Sequence, residues 1–404
     1  MSLFREIPPT AGLPLYAKEA FSALLRKGGA GSLEEDFRNY LGLPYAAVTY
    51  SGTAAFYIIL ETLKDLSPKK TVVIPSFICP LVPLAVARAG LKALVCDINK
   101  DDFSFQAEEL QRICSNNPDI LAVVAAHLAG IPQDLSVLQK TAREKKIFLV
   151  EDCAQSLGAS YRGKKTGASG DLAFFSLCRG KGLTIYEGGA LTAKAEFAPL
   201  IEKTIQRIVK PAPLSEALKI TELYGYWLFY RPLLFWCVFR LPQLFWQAQG
   251  KIEKAFIEYF DVNFPLHQVS RLRKDMGHAM FSRLEEGIAG QRRTASIYIN
   301  GLRGIPGIKL ITEPEEGVAN YPYLTLLFDD PEKRCQAFHG LAGSGLGISQ
   351  IYLSAVTDYA YLKDLGAAEC PHARQIAARH ITLSTSSYLT EKETLAIIAK
   401  IKKI

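Results

Sequence analysis

Three short motifs in this chain carry residues suited to holding an anion beside a reactive amine. In "FFSLCRGKGLTIYEGG" (174–189), Lys181 stands between Gly180 and Gly182, just after an apolar run. Glycines allow positive φ and let the backbone come close to a bulky ligand. A lysine at a partly desolvated site has a lowered pKa and can act as a Schiff-base nucleophile. Otherwise it is a surface lysine whose stem lies along apolar groups. Ser176, shortly before it, adds a hydroxyl. In "LVEDCAQS", Asp152 follows another apolar run and Glu151 at the carboxyl end of a strand, where a carboxylate is costly unless it is paired. Its alternative is a helix cap, and Gln155 can cap reciprocally or reach the same ligand. In "YSGTAA", Ser51, Gly52 and Thr53 join a strand to a helix. Free backbone N–H groups at a helix start suit an anion, though the same triplet makes an ordinary cap.

An anion cradle, a strand-end carboxylate and a glycine-flanked lysine together describe a pyridoxal 5'-phosphate (PLP) site. The phosphate would sit on the helix N-terminus, Asp152 would pair with the ring nitrogen, and Lys181 would take the aldehyde carbon.

These residues need a scaffold that brings strand ends together. The first half of the chain alternates strand-like runs ("AAVTY", "TVVIP", "KALVCDI", "ILAVVAAHL", "IFLVED") with helix-like ones ("AAFYIILETLKDL", "PLVPLAVARAG", "DLSVLQKTAREKK"). That alternation predicts an α/β fold with a mostly parallel sheet, whose ligands gather at the carboxyl ends of the strands. After "FSRLEEGIAGQRRTASIYINGL", read as one long helix, "YPYLTLLF", "PEKRCQAFHGLAGSG" and a closing strand and helix predict a smaller α+β domain. We expect a large domain over 1–265 and a small one over 266–404, joined by that helix.

Composition narrows the classes. With 404 residues and 49% hydrophobic content, the chain can bury a large core. The net charge of +7 is scattered rather than gathered into a basic stripe, which argues against nucleic-acid binding. Eight cysteines show no C-x-x-C pair and no zinc-like spacing with histidine, so no metal site is expected. We expect the cysteines to be buried reduced thiols and, with no signal-peptide run in "MSLFREIPPTAG", the protein to be cytoplasmic, with a membrane-peripheral contact as the other option.

At these motifs the chain resembles the DegT/StrS-type sugar aminotransferases of fold type I. The likeness follows in order through "YLGLPYAAVTYSGTAA", "VVIPSFICP", "DINKDDFSF", "AHLAGIPQDL", "FLVEDCAQSLGASYRGKKTGASGDLAFFS" and "KGLTIYEGGAL", and more faintly through "RLEEGIAGQRR" and "YLTEKE". The resemblance implies a seven-stranded mixed sheet, a small C-terminal domain and a homodimer with active sites at its interface. It implies Lys181 as the cofactor lysine, Asp152 as the pyridinium partner and Gln155 near the phenolic oxygen. Gly52, Thr53 and Ser176 become the phosphate cradle. Lysine rather than histidine at 181 implies amino transfer rather than dehydration. The implied reaction takes an amino group, with L-glutamate the expected donor, to a keto group on a nucleotide-linked sugar. The alternatives are a lipid-linked or non-sugar ketone, or a non-catalytic homologue.

Two positions depart from the family pattern. Cys79 in "PSFIC" replaces a ring-stacking aromatic, so its sulfur packs on the ring or stacking comes from elsewhere. If Arg271 opens the helix after the mid-chain loop, Val269 stands where the family has a phosphate-binding asparagine, with Ser270 or His267 as substitutes. His127 reads as a structural histidine beside the site, and Tyr352 and Glu187 are further candidates. Finally, residues 211–265 interrupt the pattern with an aromatic-rich insertion. Ten of the 23 residues from Tyr224 to Trp246 are aromatic, but Arg231, Arg240, Pro232 and Pro242 leave no run fit to cross a membrane. An enlarged dimer interface, an active-site lid and a peripheral membrane contact through 222–248 are the readings open to it.

Overall fold

Every strand-like run of the first half enters one sheet. The computed structural model describes residues 4–26, 31–249, 260–365 and 368–404. Its main sheet contains β1 (Tyr45–Thr49), β2 (Thr71–Pro75), β3 (Lys92–Cys96), β4 (Ile120–Ala126), β5 (Phe148–Asp152), β6 (Leu172–Ser176) and β7 (Gly189–Ala193). Their order is β1-β7-β6-β5-β4-β2-β3. β7 runs against both neighbours, and the other pairings are parallel. β2 and β4 are buried at every residue, as strands covered on both faces must be.

Helices α1 (Ala17–Leu25) and α2 (Leu33–Leu41) precede the sheet. The crossovers carry α3 (Gly52–Lys64), α4 (Leu81–Arg88), α5 (Ala107–Asn116) and α6 (Ser136–Lys145), and α7 (Ala198–Ile208) follows β7. α2 ends at Gly42, whose φ of +65° supplies the left-handed turn into β1.

The insertion is helical. It forms α8 (Pro213–Phe229), α9 (Pro232–Phe235), a π-turn over Trp236–Arg240 and α10 (Leu241–Ala248). Pro242 has no N–H to give the Val238 carbonyl, which accounts for the widened turn. Residues 250–259 of this segment lie outside the described residues.

One expectation fails at Phe281. The run read as a single helix from Phe281 is split between α11 (Arg271–Phe281) and α12 (Leu284–Leu302). Arg283 leaves helical geometry at the break, where its guanidinium donates to Glu19 at 2.6 Å and to the Pro14 carbonyl at 2.8 Å.

The C-terminal part contributes β8 (Ile308–Ile311), β9 (Tyr323–Phe328) and β10 (His380–Ser384), an antiparallel sheet with β9 in the middle. One apolar cluster joins both sheets, including Val72 and Leu191 of the first and Leu324 and Ile381 of the second. We place the domain division at 265/266 as a proposal. Residues near the N-terminus nevertheless fasten to the C-terminal part: Ile7 N donates to Gly345 O at 2.9 Å, and Ser384 Oγ donates to Pro8 O at 2.6 Å.

Candidate active site

The carboxyl ends of β5 and β6 lie side by side, with Asp152 opposite Phe174 in register. Asp152 and Ser176, the last residues of these strands, therefore open onto one edge. Asp152 is buried, and its carboxylate accepts one hydrogen bond, from Ala154 N at 2.9 Å. Burial pushes its pKa up to about 6, against the opposing pull of the Ala154 amide and the positive charge of Lys181. Lys181 lines a crevice with Thr10, Gln155, Ser176, Asn320 and Tyr323.

The two glycines beside the lysine play different parts. Gly180 has φ +73°, and a Cβ there would come 2.4 Å from Thr10 Oγ1. Its bareness serves the turn. Gly182 has no atom within 4 Å of a Cβ position, so only here does a missing side chain leave room for a ligand. The sequence expectation that both make room is corrected at Gly180.

The anion cradle takes shape at the start of α3. Ser51 is its N-cap, with Oγ accepting from Ala54 N at 3.0 Å. The cap leaves the first amides, on Gly52 and Thr53, without an intrahelical acceptor. A Cβ on Gly52 would sit 3.2 Å from Phe175 O and 3.3 Å from Ser176 Cβ, so this helix end abuts the end of β6. Ser51 Oγ itself is spent on capping.

Gln155 is held on both ends of its amide. Oε1 accepts from Ala129 N at 2.8 Å and from the Tyr323 hydroxyl, while Nε2 donates to Tyr352 Oη at 3.1 Å. Tyr352 also meets the Phe77 ring edge-on at 5.4 Å. Cys79 is half-buried, and burial pushes its thiol up to about 11, with the charges of Asp152 and Lys181 both felt there. It is a neutral, soft contact at the place where the family pattern has an aromatic ring.

His127 is structural. Its Nδ1 accepts from Gln133 N at 3.0 Å, and its Nε2 lies 3.0 Å from Glu151, which fixes the Nε2–H tautomer. Glu151 further accepts from the amides of Gly167, Ser169 and Gly170. Cys153 lies near enough to these two to complete a metal-like triad, but the histidine and carboxylate are already committed. Val269 packs among apolar residues. Ser270 Oγ and His267 Nδ1 are buried without a partner, and the His267 ring stands edge-on to Tyr50 at 5.4 Å, next to Ser51. His267 thus keeps an unpartnered buried nitrogen beside Tyr50, while Ser270 is held through its amide, which donates to Glu216 at 2.7 Å. Glu187 is paired with Lys219 of α8 at 2.7 Å.

Sequence reasoning missed Thr10, Asn320 and Tyr323. Asn320 lines the lysine crevice, but its Oδ1 is buried against Gly130 without a partner and its Nδ2 donates to Leu157 O at 3.1 Å, so its amide is held by the fold. Nothing in "VANYPY" or in the N-terminal segment marks these residues, because they reach the crevice only through the tertiary fold. A larger cavity of about 430 Å³ lies at the ends of β2 and β4, beside Pro75, Ser104 and Ala126, and contains none of the predicted residues.

The sequence profile of the DegT/DnrJ/EryC1/StrS aminotransferase family matches residues 24–206 and 255–402. An uncharacterized protein of Methanocaldococcus jannaschii is 22% identical over 92% of this chain and 88% of its own. GDP-perosamine synthase of Caulobacter vibrioides is 31% identical, but the match spans 39% of this chain and 42% of the synthase. Among solved structures, Spr1654 of Streptococcus pneumoniae, described as a sugar aminotransferase and solved in a PMP form, superimposes with a TM-score of 0.76. It is 19% identical and covers 98% of both chains.

Proposed function

The chain belongs to the DegT/DnrJ/EryC1/StrS aminotransferase family and is a PLP-dependent aminotransferase; from that premise we propose that it moves an amino group from L-glutamate to a keto group of a nucleotide-linked sugar. The observation that carries the reading is Asp152, a buried carboxylate with one hydrogen bond, within electrostatic reach of Lys181, which lines the crevice at the strand ends. The residues fit the cofactor. A carboxylate whose burial costs so much gains from a cationic ring N–H. Free amides at Gly52 and Thr53 suit a phosphate, and the open space beside Gly182 suits a flat ring.

Bound PLP supplies an electron sink for the carbanion formed at the substrate carbon. The rest falls to the chain's own side chains. Asp152 holds the ring nitrogen protonated, and burial keeps water from weakening that pair. Lys181 Nζ would hold the cofactor, and its free amine would serve as the acid–base group for the proton at the substrate's Cα. Gln155, pinned by Ala129, Tyr323 and Tyr352, orients the ring's oxygen side. Cys79, near Asp152 and Lys181, would offer a neutral, soft contact to the ring. Ser176, Gly52 and Thr53 take the phosphate, with Ser51 shaping that helix end.

The name of the Caulobacter relative supports a nucleotide-sugar acceptor. Ser270 Oγ and His267 Nδ1, buried without a partner within the single chain, support a role toward the phosphate of a second subunit, so we include a homodimer in the proposal. To test it, PLP-loaded protein is given L-glutamate and then a panel of nucleotide-linked keto sugars, with 2-oxoglutarate and aminated products read by mass spectrometry. Oxoglutarate release without any aminated sugar refutes the acceptor, and no oxoglutarate refutes the donor.

A further inference from the structure

We propose that the outward face of the inserted helices docks on an anionic lipid surface, lying on the bilayer rather than crossing it. This inference does not rest on the reaction proposed above. The family profile passes over residues 207–254, so the segment lies outside the part of the chain that the profile describes.

Its polarity is inverted relative to an ordinary surface helix. Charged side chains of α8 turn inward: Glu216 pairs with buried Arg273 at 2.5 Å, and Lys219 pairs with Glu187. The outward side carries Leu214 (88% exposed), Leu218 (56%) and Leu228 (46%). At 3.6 residues per turn these three fall within an arc of about 80°. The next helical stretch continues the pattern with Leu233 (62%), Leu241 (49%) and Phe245 (56%). A soluble surface helix normally hides such a stripe.

Charge and helix length select the occupant. No acidic residue occurs between Glu222 and Glu253; on this stretch Arg231 is exposed, whereas Arg240 turns toward buried Glu6. An acid-free, arginine-bearing apolar face complements anionic headgroups. Against a second copy it does poorly, because a two-fold contact brings the same patch of both subunits together and exposed Arg231 would find no acid on that stretch to pair with. No described helix is long and apolar enough to cross a membrane. Helices of this kind lie in the interface plane, where tryptophan is at home. Trp236 anchors Phe4, itself mostly exposed, at 5.0 Å, and Tyr224 Oη donates to Ala20 O of α1 at 3.3 Å. The apolar face therefore adjoins the N-terminal segment.

The test is flotation of the PLP-loaded full chain with vesicles of phosphatidylcholine alone or mixed with phosphatidylglycerol. The inner face of α8 is tied to the lysine loop, so deleting the insertion would confound folding with binding. Exposed positions are changed instead. The protein is expected to float with the anionic vesicles. A combined Leu214→Gln, Leu218→Gln, Leu233→Gln variant should float roughly tenfold less with an unchanged circular dichroism spectrum and PLP absorbance. Arg231→Gln should reduce the preference for anionic over neutral vesicles. Failure of the unaltered protein to float with either vesicle overturns the proposal, as does equal flotation of the triple variant. A triple variant that changes a dimer into a monomer, while the unaltered protein ignores vesicles, would assign the face to a second copy and overturn it too.

Discussion

Lys219 on the inserted helix α8 and Glu187, in the turn just past Lys181, form a 2.7 Å ion pair, and the Lys219 side chain is only 17% exposed. At its other end the same helix stacks Tyr226 on Tyr230 at 4.3 Å, and Tyr230 Oη donates to Thr10 O at 3.0 Å. Thr10 in turn abuts Gly180. The insertion thus grips the lysine loop at both ends. Lys219→Met is expected to weaken PLP binding about fivefold, the worth of one partly buried ion pair at ~1 kcal/mol. Equilibrium titration of PLP absorbance in Lys219→Met, Glu187→Gln and the double variant measures it. Additive losses in the double variant would show that the pair does not act as a unit.

Asp152 gives a pH dependence whose sign follows from burial. Its pKa in the folded apoprotein is about 6, above the ordinary 3.8. Over that interval the folded state holds a proton that the unfolded chain has lost. Its contribution is therefore complete below about pH 4 and lost as pH rises through about 6, a fall of up to about 3 kcal/mol. Glu6, also raised by burial, to about 7, adds a slope of the same sign. Denaturant melts of apoprotein and Asp152→Asn across pH 4–7 separate the two. The variant should lose the Asp152 part of the slope, and parallel curves would place the titration elsewhere.

The unequal roles of the glycines flanking Lys181 predict unequal variants. Gly180→Ala meets both a positive φ and the Thr10 hydroxyl, and should cost about 2 kcal/mol of stability. Gly182→Ala meets nothing and should change stability by less than about 0.5 kcal/mol. Its effect should appear in PLP affinity alone. Thermal melts with PLP titrations distinguish a structural glycine from one that leaves space for a ligand.

Tyr352→Phe removes the hydroxyl that receives Gln155 Nε2. Leaving that amide underpaired should cost about 1 kcal/mol, seen as an approximately fivefold weaker hold on PLP and a shifted absorbance maximum. An unchanged spectrum would mean that Gln155 does not face the cofactor ring.

Much of this architecture was legible in the chain because strand period and strand-end chemistry coincide in the first half. "TVVIP" and "ILAVVAAHL" are apolar throughout because both sheet faces are covered, and Asp152 and Ser176 are conspicuous as polar residues ending such runs. Thr10, Asn320 and Tyr323 carry no such mark, since their place beside Lys181 depends on the N-terminal segment and the small sheet folding back over the large one. The break between α11 and α12 was hidden for a similar reason: Arg283 is a good helix former, and only its distant partners Glu19 and Pro14 draw it out. The helices of the insertion were obscured by aromatic density, which reports burial or an interface without a clear period.

The attachment of PLP to Lys181 is the claim on which the rest depends. Saturating the protein with PLP, reducing it with borohydride and mapping the peptides tests it directly. The account predicts a single modified peptide containing Lys181, and loss of that label in Lys181→Ala. Label on a different lysine, or none on any, would contradict it.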